Sequence, residues 1–108
     1  MNKLDKLEIS LLNDYYGSLL TVYQADLIRL YYDDDLSLSE IADIKNITRQ
    51  AALDVINRGT LKLKEFESKL HLAVKSQSIR KEIQVLMASC DIETSKKLEN
   101  ILRIVDEL

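Results

Sequence analysis

Arg49, Gln50, Asp54 and Asn57 are the residues of this sequence whose types and spacing could do chemistry. That chemistry is the reading of a base edge. A guanidinium pairs with guanine, a carboxamide with adenine, and a carboxylate accepts from the amino group of cytosine. Thr48 stands just before them, and Leu53 lies among them. Lys62 comes about two turns beyond Asp54, where an ammonium could meet a phosphate. The same residues also describe an exposed helical turn that touches no ligand. Their types alone leave both readings open.

The elements that must position them lie between Ser37 and Leu61. Ser37 and Glu40 form a Ser-x-x-Glu capping box, which marks a helix start. Leu38, Ile41, Ala42 and Ile44 come next at helical spacing, and Lys45-Asn46-Ile47 makes a corner. Asn46 is the residue there that best tolerates a positive φ. Thr48 caps a second helix, which Ile47, Ala52 and Ile56 hold against the first. The spacing predicts a helix-turn-helix over about 37–58, a motif whose second helix commonly enters the DNA major groove. Helix pairs of this kind also occur in proteins that bind no DNA.

The chain has 108 residues, no proline and two glycines, Gly17 and Gly59. With Leu, Ile, Lys, Glu and Ala dominant, the expectation is an all-α bundle without a wing. No apolar run is long enough to span a membrane. Met1-Asn2-Lys3-Leu4-Asp5 lacks the apolar core of a signal peptide, so a cytoplasmic protein is expected. Cys90 has no cysteine to pair with and fits a small apolar filler in a reducing compartment. His71 has no partner at a diagnostic spacing. No catalytic pair, phosphate loop or metal cluster is legible, so neither an enzyme nor a cofactor is expected.

Net charge is −3, which is not the footprint of a strong nucleic-acid binder. Residues 37–75 nevertheless carry seven basic and five acidic side chains, the one stretch with a net positive charge. Asp33-Asp34-Asp35 matches no EF-hand loop, and a solvated acidic turn is expected there.

In chain order, Leu4, Leu7, Leu11, Leu12 and Tyr15 predict a first helix over 3–16 with one apolar stripe. Gly17 ends it. Thr21 and Gln24 form a second capping box, opening a helix to about Tyr31. The motif's second helix shows no stop at Gly59 and should run from 49 to 70. Gly59 there permits a close crossing or a bend. Lys62, Lys64, Lys69, Glu65 and Glu67 should form its solvated face, and Leu70-His71-Leu72 its fraying end. Ser76-Gln77-Ser78 is expected to mark a break, with two further helices beyond it at 78–89 and 91–107. The domain reading is 1–72 for the helix-turn-helix part and 73–108 for a C-terminal helical pair.

The run Leu20-Thr21, Gln24, Leu27, Leu30-Tyr31-Tyr32, Leu36-Ser37-Leu38-Ser39-Glu40-Ile41-Ala42 and Ile47-Thr48-Arg49-Gln50-Ala51 resembles region 4 of bacterial sigma factors. Together with Leu11-Leu12-Asn13-Asp14-Tyr15-Tyr16-Gly17 and Phe66-Glu67-Ser68-Lys69-Leu70, it resembles more closely the YlxM-like family of small helix-turn-helix proteins. The match covers about residues 8–72. The resemblance implies a cytoplasmic protein encoded beside the signal recognition particle GTPase, regulating that targeting pathway or acting within it. Two departures stand out. Asn46 replaces the usual turn glycine, and only Arg49 is basic where sigma-type reading helices carry several Arg or Lys.

Two functions therefore compete: a DNA-binding regulator, and a protein-interaction module that uses the same helices on a targeting or transcription component. The apolar stripes after residue 78 carry Ile79, Ile83, Leu86, Met87, Leu98, Ile101, Leu102, Val105 and Leu108. They lead to an expectation of a homodimer, with a compact monomer as the alternative.

Overall fold

The computed structural model describes residues 3–108. Six α-helices succeed one another: α1 Lys3–Tyr16, α2 Val22–Tyr32, α3 Leu38–Lys45, α4 Arg49–Leu70, α5 Leu72–Met87 and α6 Ile92–Asp106. A 3-10 turn, Gly17–Leu19, joins α1 to α2. No strand occurs among the described residues, so the chain is all-α, with its helix-turn-helix in α3 and α4. The helices fall into two compact units, one up to Leu70 and one from His71 on.

In the first unit α4 is the central element, and α1, α2 and α3 all pack on it. Its inward line is Ala52, Ile56, Gly59 and Leu63, spaced four, three and four residues apart. Leu27 and Ile28 of α2 and Ile41 of α3 are fully buried beside this line. Gly59 marks the closest approach. A Cβ built there would lie 2.5 Å from Cδ1 of Ile28 and 3.7 Å from Cβ of Gln24. The glycine thus serves a close crossing, while α4 runs unbroken through it.

The first helix turns a different face inward than its leucines suggest. Ile9, Leu12 and Tyr16 are buried, whereas Leu7 is exposed and Leu11 and Tyr15 are only half-buried. The side chain of Leu4 lies outside the described residues. The leucine stripe loses because Tyr16 has partners on α4. Its ring sits 5.9 Å from that of Phe66, and its hydroxyl donates to Oε1 of Glu67 at 2.5 Å. Glu67 is therefore a half-buried acceptor and not part of a solvated face.

The acidic loop is also more than a solvated turn. Its carboxylates are exposed, yet each has a partner. The Ser10 hydroxyl donates to Asp33, Lys6 pairs with Asp35, and Arg29 reaches Asp34 at 3.0 Å. Asp35 itself takes a left-handed backbone, φ 57°.

The second unit departs most from expectation. Ser76-Gln77-Ser78 lies inside α5 and separates nothing. Ser78 returns its hydroxyl to the Val74 carbonyl at 3.0 Å, which lets a serine sit in a helix interior. The break falls instead at His71, whose φ of 57° and ψ of 25° stop α4 and start α5 at once. The last two helices thus span 72–87 and 92–106, in place of 78–89 and 91–107. Asp91 caps α6 by accepting from the Thr94 N–H at 2.7 Å.

The geometry of the crossing can be tested directly. Gly59→Ala should destabilise the protein by about 1–3 kcal/mol through overpacking, despite alanine's better helix propensity. Ile28→Val removes the clashing methyl and should cost about 1 kcal/mol alone. In urea unfolding the double variant should be more stable than the two losses summed. Strict additivity would show that Ile28 does not limit the approach.

Candidate nucleic-acid interface

The motif is built from local hydrogen bonds. Ser37 Oγ accepts from the Glu40 N–H at 3.1 Å, and Glu40 Oε1 accepts from the Ser37 N–H at 3.0 Å. These bonds from Ser37 hold the Glu40 carboxyl below the usual carboxylate range. Asn46 ends α3 in the left-handed region, φ 55° and ψ 48°. The Ile47 N–H then returns to the Ala42 carbonyl at 3.0 Å. Thr48 Oγ1 accepts from the Ala51 N–H at 3.0 Å and so opens α4.

A second contact fixes α3 from outside the motif. Asp26 of α2 accepts from Lys45 Nζ and from Arg29, each at 2.5 Å. Lys45, then Arg29, hold the Asp26 carboxyl below its ordinary value. Lys45 also stands 5.9 Å from the centre of the Tyr23 ring. This cation at the end of α3 is thus committed to α2.

The outward face of α4 is set by its inward line. At 100° per residue, Gln50, Asp54, Asn57 and Leu61 fall within about 60° of one another, opposite the buried line. All four are exposed. Gln50 Nε2 donates to Asp54 Oδ1 at 3.1 Å, so these two side chains are already bonded to each other. Arg49 lies on the flank nearer α3, where it lines a shallow depression with Leu38, Gln50 and Leu53. Arg58 and Lys62, one turn apart, lie on the other flank.

The expected site residues thus separate into three roles. Thr48 is a cap, with its hydroxyl taken by the backbone. Gln50, Asp54 and Asn57 share the outward face, and Arg49 borders it. Lys62 stands off that face, on the flank. Arg58 is the residue that sequence reasoning misses, although its spacing of four from Lys62 is a usable signal. Arg49, Arg58, Lys62 and Lys64 make no ion pair with a described side chain. Lys69, by contrast, pairs with Glu65 at 3.1 Å.

A left-handed corner, a threonine cap and an exposed polar face on the second helix define an all-α helix-turn-helix protein. A family model described as "Putative helix-turn-helix protein, YlxM / p13 like" matches residues 2–104, and the chain belongs to this family, UPF0122. A UPF0122 protein of Clostridium perfringens strain 13 is 42% identical over 103 residues, 95% of this chain and 91% of the relative. One from Clostridium botulinum strain Alaska E43 is 50% identical over 82 residues, 76% of this chain and 73% of its own. One from Desulforamulus reducens is 50% identical over 80 residues, 73% of this chain and 68% of its own.

Two measurements test the geometry. The lowered carboxyl of Asp26 contributes stability that is complete above about pH 4 and is lost as pH falls through its folded value. Thermal unfolding midpoints should therefore drop as pH falls below about 4 and through the lowered value, and Asp26→Asn should flatten that drop. An unchanged slope would remove Asp26 from the account. Separately, Asp54→Asn keeps an acceptor for Gln50 but removes a negative charge. Affinity for random-sequence DNA at low salt should rise about fivefold, the worth of roughly 1 kcal/mol between unit charges in water. No rise would mean that this face never meets DNA.

Proposed function

We propose that the protein is a DNA-binding regulator that reads the major groove with the N-terminal half of α4. The observation that carries this reading is the arrangement of cations. Arg49 on one side and Arg58 with Lys62 on the other border a face of hydrogen-bonding side chains, Gln50, Asp54 and Asn57. A groove floor bordered by two phosphate backbones is the surface complementary to that pattern. Membership of a helix-turn-helix family supports the same reading. The proposal involves no catalysis. Its setting is the cytoplasm, and its regulatory object is the signal recognition particle pathway, to which the sequence resemblance points.

One observation favours the second reading, a protein-interaction module acting on a component of that pathway. Leu61 is exposed on the outward face of α4, and Ile44 is exposed on α3. An apolar side chain suits a protein partner better than a phosphate backbone.

Titration of random and own-operon DNA at two salt concentrations separates the two. A regulator shows a salt-dependent affinity and a sequence preference. Arg49→Ala and Gln50→Ala should each lose about 1–3 kcal/mol on the preferred site only. Lys62→Ala should weaken all sequences alike and lower the salt slope by about 1. Salt-independent or absent binding, with the fold intact, would leave the interaction module as the function.

A further inference from the structure

We propose that α5 and α6 form one half of a four-helix bundle, completed by the same hairpin of a second copy of this chain. On α5, Leu72, Ser76, Ile79, Ile83 and Leu86 recur at alternating intervals of four and three, and Cys90 continues the series just past the helix. On α6, Thr94, Leu98, Ile101 and Val105 do the same, and Leu108 continues the series just past the helix. This 3.5-residue repeat keeps a seam turned toward neighbouring helices along its whole length. The four-residue connection makes the helices antiparallel neighbours. An ion pair from Arg80 to Asp106 ties them together.

Each seam is covered on one side only. Ile83 and Val105 are buried, while Ile79 is 44% exposed, Leu86 55%, Ile101 47% and Leu108 56%. Ile79, Leu86 and Ile101 fall on the same flank of their helices, so together they form one apolar face across the hairpin. Val85, also exposed, lies on the other side of α5. The sixteen residues of α5 make the face about 24 Å long, and two helices make it about 20 Å wide. That is roughly 500 Å² in projection. Once side chains interdigitate, it reaches the scale of the about 800 Å² per partner that stable interfaces use.

Charge at the border selects a second copy as the occupant. Glu82 on α5 and Lys97 on α6 occupy the same slot of the repeat, each three residues after a seam position. Each is five residues from the connected end of its helix, Met87 or Ile92, so they stand at the same level. Neither has an ion pair with a described residue. A two-fold axis parallel to the helices sets α5 against α6 of the second copy and preserves that level. Glu82 then faces Lys97 of the second copy, and Lys97 faces Glu82, so both pairs close in one arrangement. The face shares no residue with α4, so this inference stands apart from the DNA reading.

Sedimentation equilibrium of the full chain at micromolar concentration should give twice the chain mass of 12.4 kDa. Ile79→Lys and Ile101→Lys should return it to one chain mass with helical circular dichroism retained. Val85→Lys should leave the dimer intact. If the lysine variants lose helicity, charge reversal decides. Glu82→Lys or Lys97→Glu alone should weaken association about tenfold, two exposed pairs being lost per dimer, and the double reversal should restore it. A single species of one chain mass for the unaltered protein overturns the proposal. So does a dimer untouched by the lysine variants, or a double reversal that does not restore association.

Discussion

A methyl group at Gly59 would have to displace the buried Ile28 side chain, and the first unit is arranged around that close approach. Because α2 lies this close, the rotation of α4 about its own axis is fixed. Once Ala52, Ile56, Gly59 and Leu63 point inward, Gln50, Asp54 and Asn57 have to point outward. The far end of α4 is held by a different kind of contact. Tyr16 is fully buried yet keeps its hydroxyl bonded to Glu67. A hydrogen bond to a charged acceptor contributes about 1.5–3 kcal/mol net, and a phenol buried without one would cost about as much. The helix is therefore located by a steric limit near its middle and by a polar bond near its end.

Charge shows a similar division of labour. The chain as a whole is acidic, and the cations of α1 to α3 with described side chains are taken up by carboxylates within the first unit. Lys6, Arg29 and Lys45 are consumed by Asp35, Asp34 and Asp26. Among the described residues of that unit, the cations without an ion pair are Arg49, Arg58, Lys62 and Lys64, all on α4. A total charge of −3 is then a poor guide to the local field near that helix. Exposed pairs such as Arg29 with Asp34 add little stability each, so their main effect is on where free charge is left.

Much of this was legible in the sequence where the signal was local. The two capping boxes at Thr21 and Ser37, the left-handed Asn46 and the cap at Thr48 each involve residues three or four apart, and each forms as the sequence indicates. The extent of α4 was legible for the same reason, whereas Gly59 could be read only as a close crossing or a bend, because the Ile28 side chain that decides between them is distant in sequence. The hidden features depended on distant partners. The stripe of α1 is decided by Phe66 and Glu67, some fifty residues away, so Leu7 looks like core and is not. Ser76 and Ser78 read as a break because serine favours turns, yet Ser78 satisfies its hydroxyl on the helix itself. The bond between Gln50 and Asp54 obeys the i, i+4 rule and could have been foreseen. It changes what those two side chains offer to a ligand.

The capped helix starts carry a kinetic consequence. Thr21, Ser37, Thr48 and Asp91 each satisfy orphan amides with atoms at most three residues away. Turns of this kind form within about a microsecond, long before a chain of this size has searched its distant pairings. The crossing of α2 with α4 must instead be closed between positions 28 and 59, and it gains nothing until both helices exist. The barrier to reaching the native state should then sit at that crossing, with the helix ends already written. A chain with mostly local contacts and few such closures, the contact of α1 with the end of α4 being another, belongs among the fast-folding helical domains, where the unassembled state is too short-lived to expose its apolar faces for long.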